Sequence, residues 1–180
     1  MRKDCSEKSE AVLHEGRFLT FIDKGGWEYV KRCNCSGIVI IVSKTDEGKV
    51  ILVEQFRPPV NKRVIEFPAG LVNDGDPASS ESLEKAALRE LYEETGYRAE
   101  TAEVLLHGPV SSGSSADLVT MVLAKGLEKS GKGGGDETEN IIVHEIEMAK
   151  VHDWLANMND AGFLIEPKIY AGLYFLQRNK

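Results

Sequence analysis

Residues 75–97, GDPASSESLEKAALRELYEETGY, form a helical pattern with acids where apolar side chains belong. At about 100° per residue, Leu83, Ala86 and Ala87 share one face. Glu90 and Glu94 fall about 20° to either side of the Leu83 direction, and Glu93 lies about 80° away, at the edge of that face. An amphipathic helix turns its apolar stripe inward and keeps carboxylates off it. Burying a bare carboxylate costs several kcal/mol unless a positive group meets it. The one basic residue close by is Arg89, placed i,i+4 to Glu93. A divalent cation balances the excess, and hard ions such as Mg²⁺ take carboxylate oxygens. Glu90 and Glu94, one turn apart, can share one ion, and Glu93 can join them or hold a second. The entry turn is expected at Gly75, with Asp76 or Ser80 as N-cap, Pro77 in the first turn and Gly96 as left-handed C-cap.

The rest of the chain supplies a sheet for this helix. Arg17 to Ile22 and Trp27 to Cys33 read as a hairpin around Lys24-Gly25-Gly26. Residues 1–10 read as a polar, frayed start. Ser36 to Ser43 (SGIVIIVS) is a buried strand, and Lys49 to Gln55 returns beside it. Arg57-Pro58-Pro59 ends that strand, because proline removes ladder donors. Val64 to Phe67 is a short strand broken by Pro68-Ala69-Gly70. Thr101 to Leu106, Leu118 to Lys125 and Ile141 to Ile146 are further strands. Ala149 to Asn157 and Pro167 to Gln177 are helices, the last with Ile169, Leu173, Phe175 and Leu176 as a core stripe. Strands before and after two or three helices imply an α+β chain in α/β/α layers. Lys129 to Asp136 (KSGKGGGD) is expected to be a flexible lid or linker. It lacks the G-x-x-x-x-G-K-[ST] spacing of a phosphate loop.

Composition narrows the function classes. At 180 residues and 42% hydrophobic, the chain fits one domain with a full core. A formal net charge of −7 does not suggest a nucleic-acid surface. No long apolar run marks a membrane span, and Met1 to Lys8 is charged, without a signal-peptide core. A cytoplasmic setting is expected. Three cysteines, two of them as Cys33-x-Cys35, suit neither a zinc knuckle nor a disulfide framework and read as reduced thiols.

Gly75, five residues, Glu81, seven residues, then Arg89-Glu90-Leu91-Tyr92-Glu93-Glu94-Thr95-Gly96-Tyr97 resembles the Nudix box, GX5EX7REUXEEXGU, at every defined position. Trp27 to Arg32, Glu54 to Pro59 and Ile65 to Val72 (IEFPAGLV) resemble the ADP-ribose and nucleoside-diphosphate-sugar branch of Nudix hydrolases. The resemblance covers most of residues 15–178. It implies the α/β/α Nudix fold over residues 36–180, preceded by an N-terminal antiparallel β extension, 1–35, that serves dimerisation and base binding. It implies a homodimer, a Mg²⁺ or Mn²⁺ cofactor, and cleavage of a nucleoside diphosphate sugar into NMP and a sugar phosphate. The metal ligands would be Glu90, Glu93, Glu94 and the carbonyl of Ala69, in a loop expected near the helix start. Arg89 would orient Glu93. Trp27 would stack on the base, Glu28 would meet its edge, and Arg32 and Arg57 would hold phosphates.

A general base is best sought outside the metal cluster. Asp136-Glu137-Thr138-Glu139 follows the glycine run. Glu137 and Glu139 are equally placed by sequence, and relatives of this branch carry their catalytic glutamate on a late loop of this kind. One departure stands out. The branch often has a proline about sixteen residues beyond Gly96, where this chain has Ser112 and its nearest proline is Pro109. That leaves room for sugars other than ADP-ribose. Alternatives are a Nudix hydrolase of nucleoside triphosphates or dinucleoside polyphosphates, and a catalytically silent module that binds nucleotide sugars. Retention of all the box glutamates opposes the second.

Overall fold

The computed structural model describes residues 8–74, 80–135 and 140–178. Three antiparallel strands come first: β1 (Glu10–Glu15), β2 (Leu19–Lys24) and β3 (Glu28–Arg32), a sheet of their own. The tight β2–β3 turn uses Gly25 and Gly26, both at positive φ. β1 begins at Glu10, where the expected frayed start ends, and fills the stretch before Arg17 to which the sequence assigned no element. Every one of its residues is exposed, so no burial pattern marked it.

The centre is β4 (Gly37–Ser43), buried from Val39 onward. Successive strand residues point to opposite faces. Val39 and Ile41 pack with Ala86, Ala87 and Leu91 of α1 (Leu83–Thr95). Ile40 and Val42 pack with Leu155 of α2 (Val151–Asp160) and with Ile169, Leu173 and Leu176 of α3 (Lys168–Arg178). A strand apolar on both faces needs cover on both. The helices supply it, giving the α/β/α layering expected from the sequence.

β5 (Lys49–Arg57), β6 (Lys62–Glu66), β7 (Ala69–Val72), β8 (Tyr97–Pro109), β9 (Leu118–Lys129), β10 (Ile142–Glu147) and β11 (Leu164–Ile165) complete two four-stranded mixed sheets. Their orders are β7-β4-β9-β8 and β10-β5-β6-β11, with β4–β9 and β6–β11 parallel. β7 and β11 were missed because four and two residues are too few to show a period. Pro68 does break the chain, but only between β6 and β7.

Two further expectations change. α1 starts at Leu83 with Ser82 as N-cap, its side chain accepting from Lys85 N at 3.3 Å, rather than with Ser80. Gly75, Asp76 and Pro77 lie outside the described residues. The far end is as expected: Gly96 has φ 72° and donates to Tyr92 O at 2.8 Å. Ser130 to Gly135 is not a loose linker. Ser130 N and Gly131 N both donate to Gly96 O at 2.9 Å, Gly134 N to Glu94 O at 2.8 Å, and Gly135 N to Glu93 O at 3.1 Å. The carbonyls left open at the end of α1 are thus satisfied by the glycine run. Gly133 has φ +65°, and a Cβ there would lie 2.4 Å from the Thr95 backbone carbon. The glycines are required for close approach, which composition alone reads as flexibility.

Candidate functional site

Arg89 is the organising residue. Its Nε donates to Glu81 Oε1 at 2.9 Å and its Nη2 to Glu81 Oε2 at 3.3 Å, the fork-to-fork geometry of a strong pair. Nη2 also donates to Leu71 O at 3.0 Å. Nη1 is shared between Glu90 Oε1 at 2.8 Å and Glu93 Oε2 at 3.1 Å. Glu81 in turn accepts from Asn73 N at 3.1 Å, while Glu81 N donates to Asn73 Oδ1 at 3.0 Å. Asn73 holds the left-handed turn (φ 56°) and donates to Ser36 Oγ at 2.6 Å. The seven-residue gap between Glu81 and Arg89 therefore lets a carboxylate before the helix grip a guanidinium two turns in. The hydrogen bond from Arg89 holds the Glu81 carboxyl below its usual range. The same bond raises Arg89 further. Sequence reasoning placed Arg89 beside Glu93 and left Glu81 without a role; the eight-residue offset was the available signal.

The acids divide by burial. Glu94 is 3% exposed and accepts from Ala69 N at 3.1 Å. Ala69 therefore sits against the last turn of α1, not near its start as expected. Glu90 is largely buried, with its carboxylate against Gly70. A Cβ on Gly70 would fall 1.9 Å from Glu90 Cδ. Glu93 is half exposed. Glu90, Glu93, Arg89, Ala69 and Gly70 wall a cleft of about 580 Å³, which Arg32, Arg57 and Gly135 also reach. Among the described residues no three acidic, histidine or cysteine side chains form a ready metal cluster, since Glu90 and Glu93 both turn to Arg89. Their carboxylates still share one cleft wall with Ala69, a donor set of hard oxygens that suits Mg²⁺ or Mn²⁺.

Arg57 and Arg32 line the same cleft as these acids. Arg57 Nε donates to Glu66 Oε2 at 2.8 Å, and Glu66 is 7% exposed. A buried carboxylate thus aims an arginine that sequence reasoning identified without its partner. Arg32 N donates to Asp117 Oδ1 at 3.1 Å, and its Nε is 3.7 Å from Asp117 Oδ2. A second cavity of about 650 Å³ shares Arg32, Arg57, Ile38 and Ala69 with the first.

Trp27 and Glu28 are not part of either wall. Trp27 is 56% exposed, and its Nε1 donates to Gly113 O at 2.9 Å. It braces the β8–β9 connection, which also pairs with β3 through Val30 N to Ser114 O (3.0 Å) and Ala116 N to Val30 O (2.9 Å). Around Ser112 that connection is closed by its own serines: Ser114 N and Ser115 N donate to Ser111 O at 3.0 and 2.9 Å. The turn holds without a proline. Glu137 and Glu139 lie outside the described residues, but both flanks of their segment are fixed. Gly135 is tied to Glu93 O, Ile141 N donates to Gly134 O at 3.4 Å, and Arg63 Nη2 donates to Asn140 O at 3.4 Å. Arg63 is held by Glu54, which also pairs with His144 Nε2 at 2.9 Å. This network gave no sequence signal, because Glu54 and Arg63 meet only through the register of adjacent strands and His144 comes from a distant one.

The chain is similar to the mouse ADP-sugar pyrophosphatase, 41% identical over 112 residues, 53% of this chain and 49% of that protein. It is also similar to the ADP-ribose pyrophosphatase of Bacillus subtilis (strain 168), 38% identical over 113 residues, 62% of this chain and 58% of that one. The chain thus spans about half to three-fifths of the length of these curated relatives. A solved structure described as an ADP compounds hydrolase superposes with a TM-score of 0.69 at 20% identity, covering 94% of this chain and 90% of that one, a likeness of fold. The pattern of the NUDIX domain matches residues 35–164, a span that takes in the Arg89 hub, Arg57 and the flanks of the acidic segment. The chain belongs to the NUDIX family.

Proposed function

We propose that the protein is a divalent-metal-dependent pyrophosphohydrolase that splits ADP-ribose or related nucleoside diphosphate sugars into NMP and a sugar phosphate. The observation that carries this reading is the shared cleft. Two carboxylates governed by Arg89 face the same space as Arg32 and Arg57. Such a pairing suits a diphosphate, which needs cations on its oxygens and a charged clamp on its position. The names of the two relatives point to the same substrate class.

In this reading Glu90, Glu93, Glu94 and the Ala69 carbonyl hold Mg²⁺, with Mn²⁺ as substitute. Bound there, the ion neutralises phosphate oxygens and acidifies an attacking water. Arg57, aimed by Glu66, and Arg32 hold the diphosphate. Arg89 fixes Glu93 and Glu90 in register with the sheet. Glu137 or Glu139 takes the proton of the water as phosphorus is attacked, and the leaving phosphate departs with the sugar or the nucleotide.

Trp27 stacks on the base and Glu28 meets its edge. Both lie on the N-terminal sheet and away from the cleft wall of their own chain, an arrangement that fits a homodimer in which residues 1–35 complete the partner's site. Exposed apolar residues on that sheet and its first turn, Val12, Leu13 and Phe18, support the contact. Residues 36–180 form the hydrolase domain. Cys33 and Cys35 are free thiols, consistent with a reducing, cytoplasmic setting. No helix among the described residues is long and apolar enough to cross a membrane.

The test is product analysis with ADP-ribose, ADP-glucose, GDP-mannose and nucleoside triphosphates, with and without Mg²⁺. Metal-dependent release of NMP from a diphosphate sugar is the expected result. Failure with every diphosphate sugar would sink the reading, and preferential cleavage of a triphosphate would replace it.

A further inference from the structure

We propose that Glu166 and Lys168 form a subsite that reads the vicinal diol of a neutral sugar ring, in the cavity that continues from the acidic cleft. The inference rests on the diphosphate-sugar reading and deepens it by naming what recognises a sugar.

The placement is fixed by backbone. β11 runs parallel beside β6, and directly after it Glu166 N donates to Ile65 O at 3.0 Å. Ile169 N then donates to Glu166 O at 3.0 Å as α3 begins. Glu166 is thereby held between a sheet and a helix start, and such rigid anchors suit recognition. Its carboxylate pairs with Lys168 Nζ. Both side chains wall the cavity that also takes in Arg57 and Ala69, so the pair occupies the same continuous space as the phosphate-binding arginines. Glu166 feels the charges of both Arg57 and Glu66.

The charges select the ligand class. Arg57 serves the diphosphate and Lys168 is balanced by Glu166, so this end of the cavity carries no surplus cation for another phosphate. A carboxylate offers about four acceptor sites and an ammonium three donors. Lys168 occupies only part of that capacity. Two adjacent hydroxyls can donate to the two carboxylate oxygens while an ammonium donates to a hydroxyl oxygen. The remaining walls include Val60, Val64, Val119 and Leu164, which suit the carbon faces of a sugar ring rather than another charge.

The fold alone does not ask for this pair. Buried ion pairs are weak stabilisers compared with apolar packing. A lysine as the first residue of a helix also opposes the helix dipole. Burial pushes the Glu166 carboxyl above its usual range, a cost that hydroxyl donors would offset by hydrogen bonding to the ionised form.

A vicinal diol is present on both halves of an ADP-ribose-like substrate. The experiment therefore uses the full-length protein with Mg²⁺ and four probes: ribose 5-phosphate, AMP and their 2-deoxy counterparts, with affinities from calorimetry. The expected result is a preference of about 10- to 100-fold for the ribo form of one probe pair. Glu166→Gln should erase that preference, and Lys168→Met should weaken it. The probe that shows the preference identifies which half the subsite holds. Equal affinity for ribo and deoxy forms of both probes would overturn the proposal, as would a preference unchanged in Glu166→Gln. Should the variants fold poorly, amide NMR shifts of residues 164–166 and 168 in the unaltered protein on adding the preferred probe decide the matter. Absence of shifts there refutes the subsite. Binding is read without turnover, so failure of the hydrolase reading shows separately in the substrate panel.

Discussion

Replacing Gly70 with alanine separates folding from catalysis at this site. Gly70 lies in β7 outside the positive-φ region, so its backbone accepts any L residue. The added methyl would sit 1.9 Å from Glu90 Cδ and 2.1 and 2.3 Å from its two oxygens. The obstruction is the tip of a side chain, so Glu90 yields rather than the strand. To regain ordinary contact at 3.4 Å its carboxyl carbon must retreat by about 1.5 Å. That breaks the 2.8 Å bond to Arg89 and removes Glu90 from the wall it shares with Glu93. The alanine stiffens the unfolded chain, worth about 0.4–1 kcal/mol, which offsets part of the loss of one partly buried charged bond. Thermal unfolding should therefore shift by no more than about 3 °C. Catalysis should fall by about 100-fold or more, the scale of a 1 Å misplacement. The assay is Mg²⁺-dependent NMP release from ADP-ribose, followed together with a melting curve. Near-normal turnover in a well-folded variant would show that the position of Glu90 does not matter to the reaction. A large fall in melting temperature would show that Gly70 serves packing instead.

Glu94→Gln keeps the hydrogen bond from Ala69 N and removes a charge, so the fold should persist while activity drops by about 100-fold; turnover close to the original would refute a metal role for Glu94. Trp27→Ala should raise KM for ADP-ribose by about 5- to 150-fold, the value of one stacked base, with kcat little changed; an unaltered KM would restrict Trp27 to bracing Gly113. Of Glu137→Gln and Glu139→Gln, one should remove the acidic limb of the kcat/KM pH profile, and if neither does, the base lies elsewhere. Acid stability tests the Arg89 hub. The folded pKa of Glu81 lies below its ordinary 4.5, so its contribution is fully present above about pH 4.5 and is lost as pH falls through the folded value. Urea titrations of the original protein and Glu81→Gln should differ at pH 7 and converge in acid; a constant gap would show that charge is not the source.

The acidic helix was legible because α1 carries acids on an apolar stripe, a contradiction that ordinary packing does not explain. The central strand was legible because SGIVIIVS has no polar face to offer. What stayed hidden follows from physics of another kind. β1 is fully exposed, so no pattern of burial exists to be read. β7 and β11 are held by their neighbours' ladders rather than by their own sequence. Glu66 behind Arg57, and Glu54 behind Arg63, are partners across adjacent strands, and pairing register is not written in either strand alone. The glycine run after β9 was misread because its composition is that of a linker, whereas its conformation is dictated by the helix end it must touch.

That contact sets a length standard for the chain. Glu93 and Glu94 contribute their side chains to the acidic site and, through their carbonyls, the anchor points for Gly135 and Gly134. Gly96 anchors Ser130 and Gly131 in the same way. The thirty-odd residues of the β8–β9 hairpin between these anchors can therefore lengthen or shorten at their far end, near Ser112, without disturbing the register at the helix. One residue added between Ser130 and Gly135 would instead break the match of Gly134 and Gly135 to the carbonyls of Glu94 and Glu93. Variation is thus free to accumulate at the hairpin tip, while Gly134 and Gly135 stay locked to the helix end.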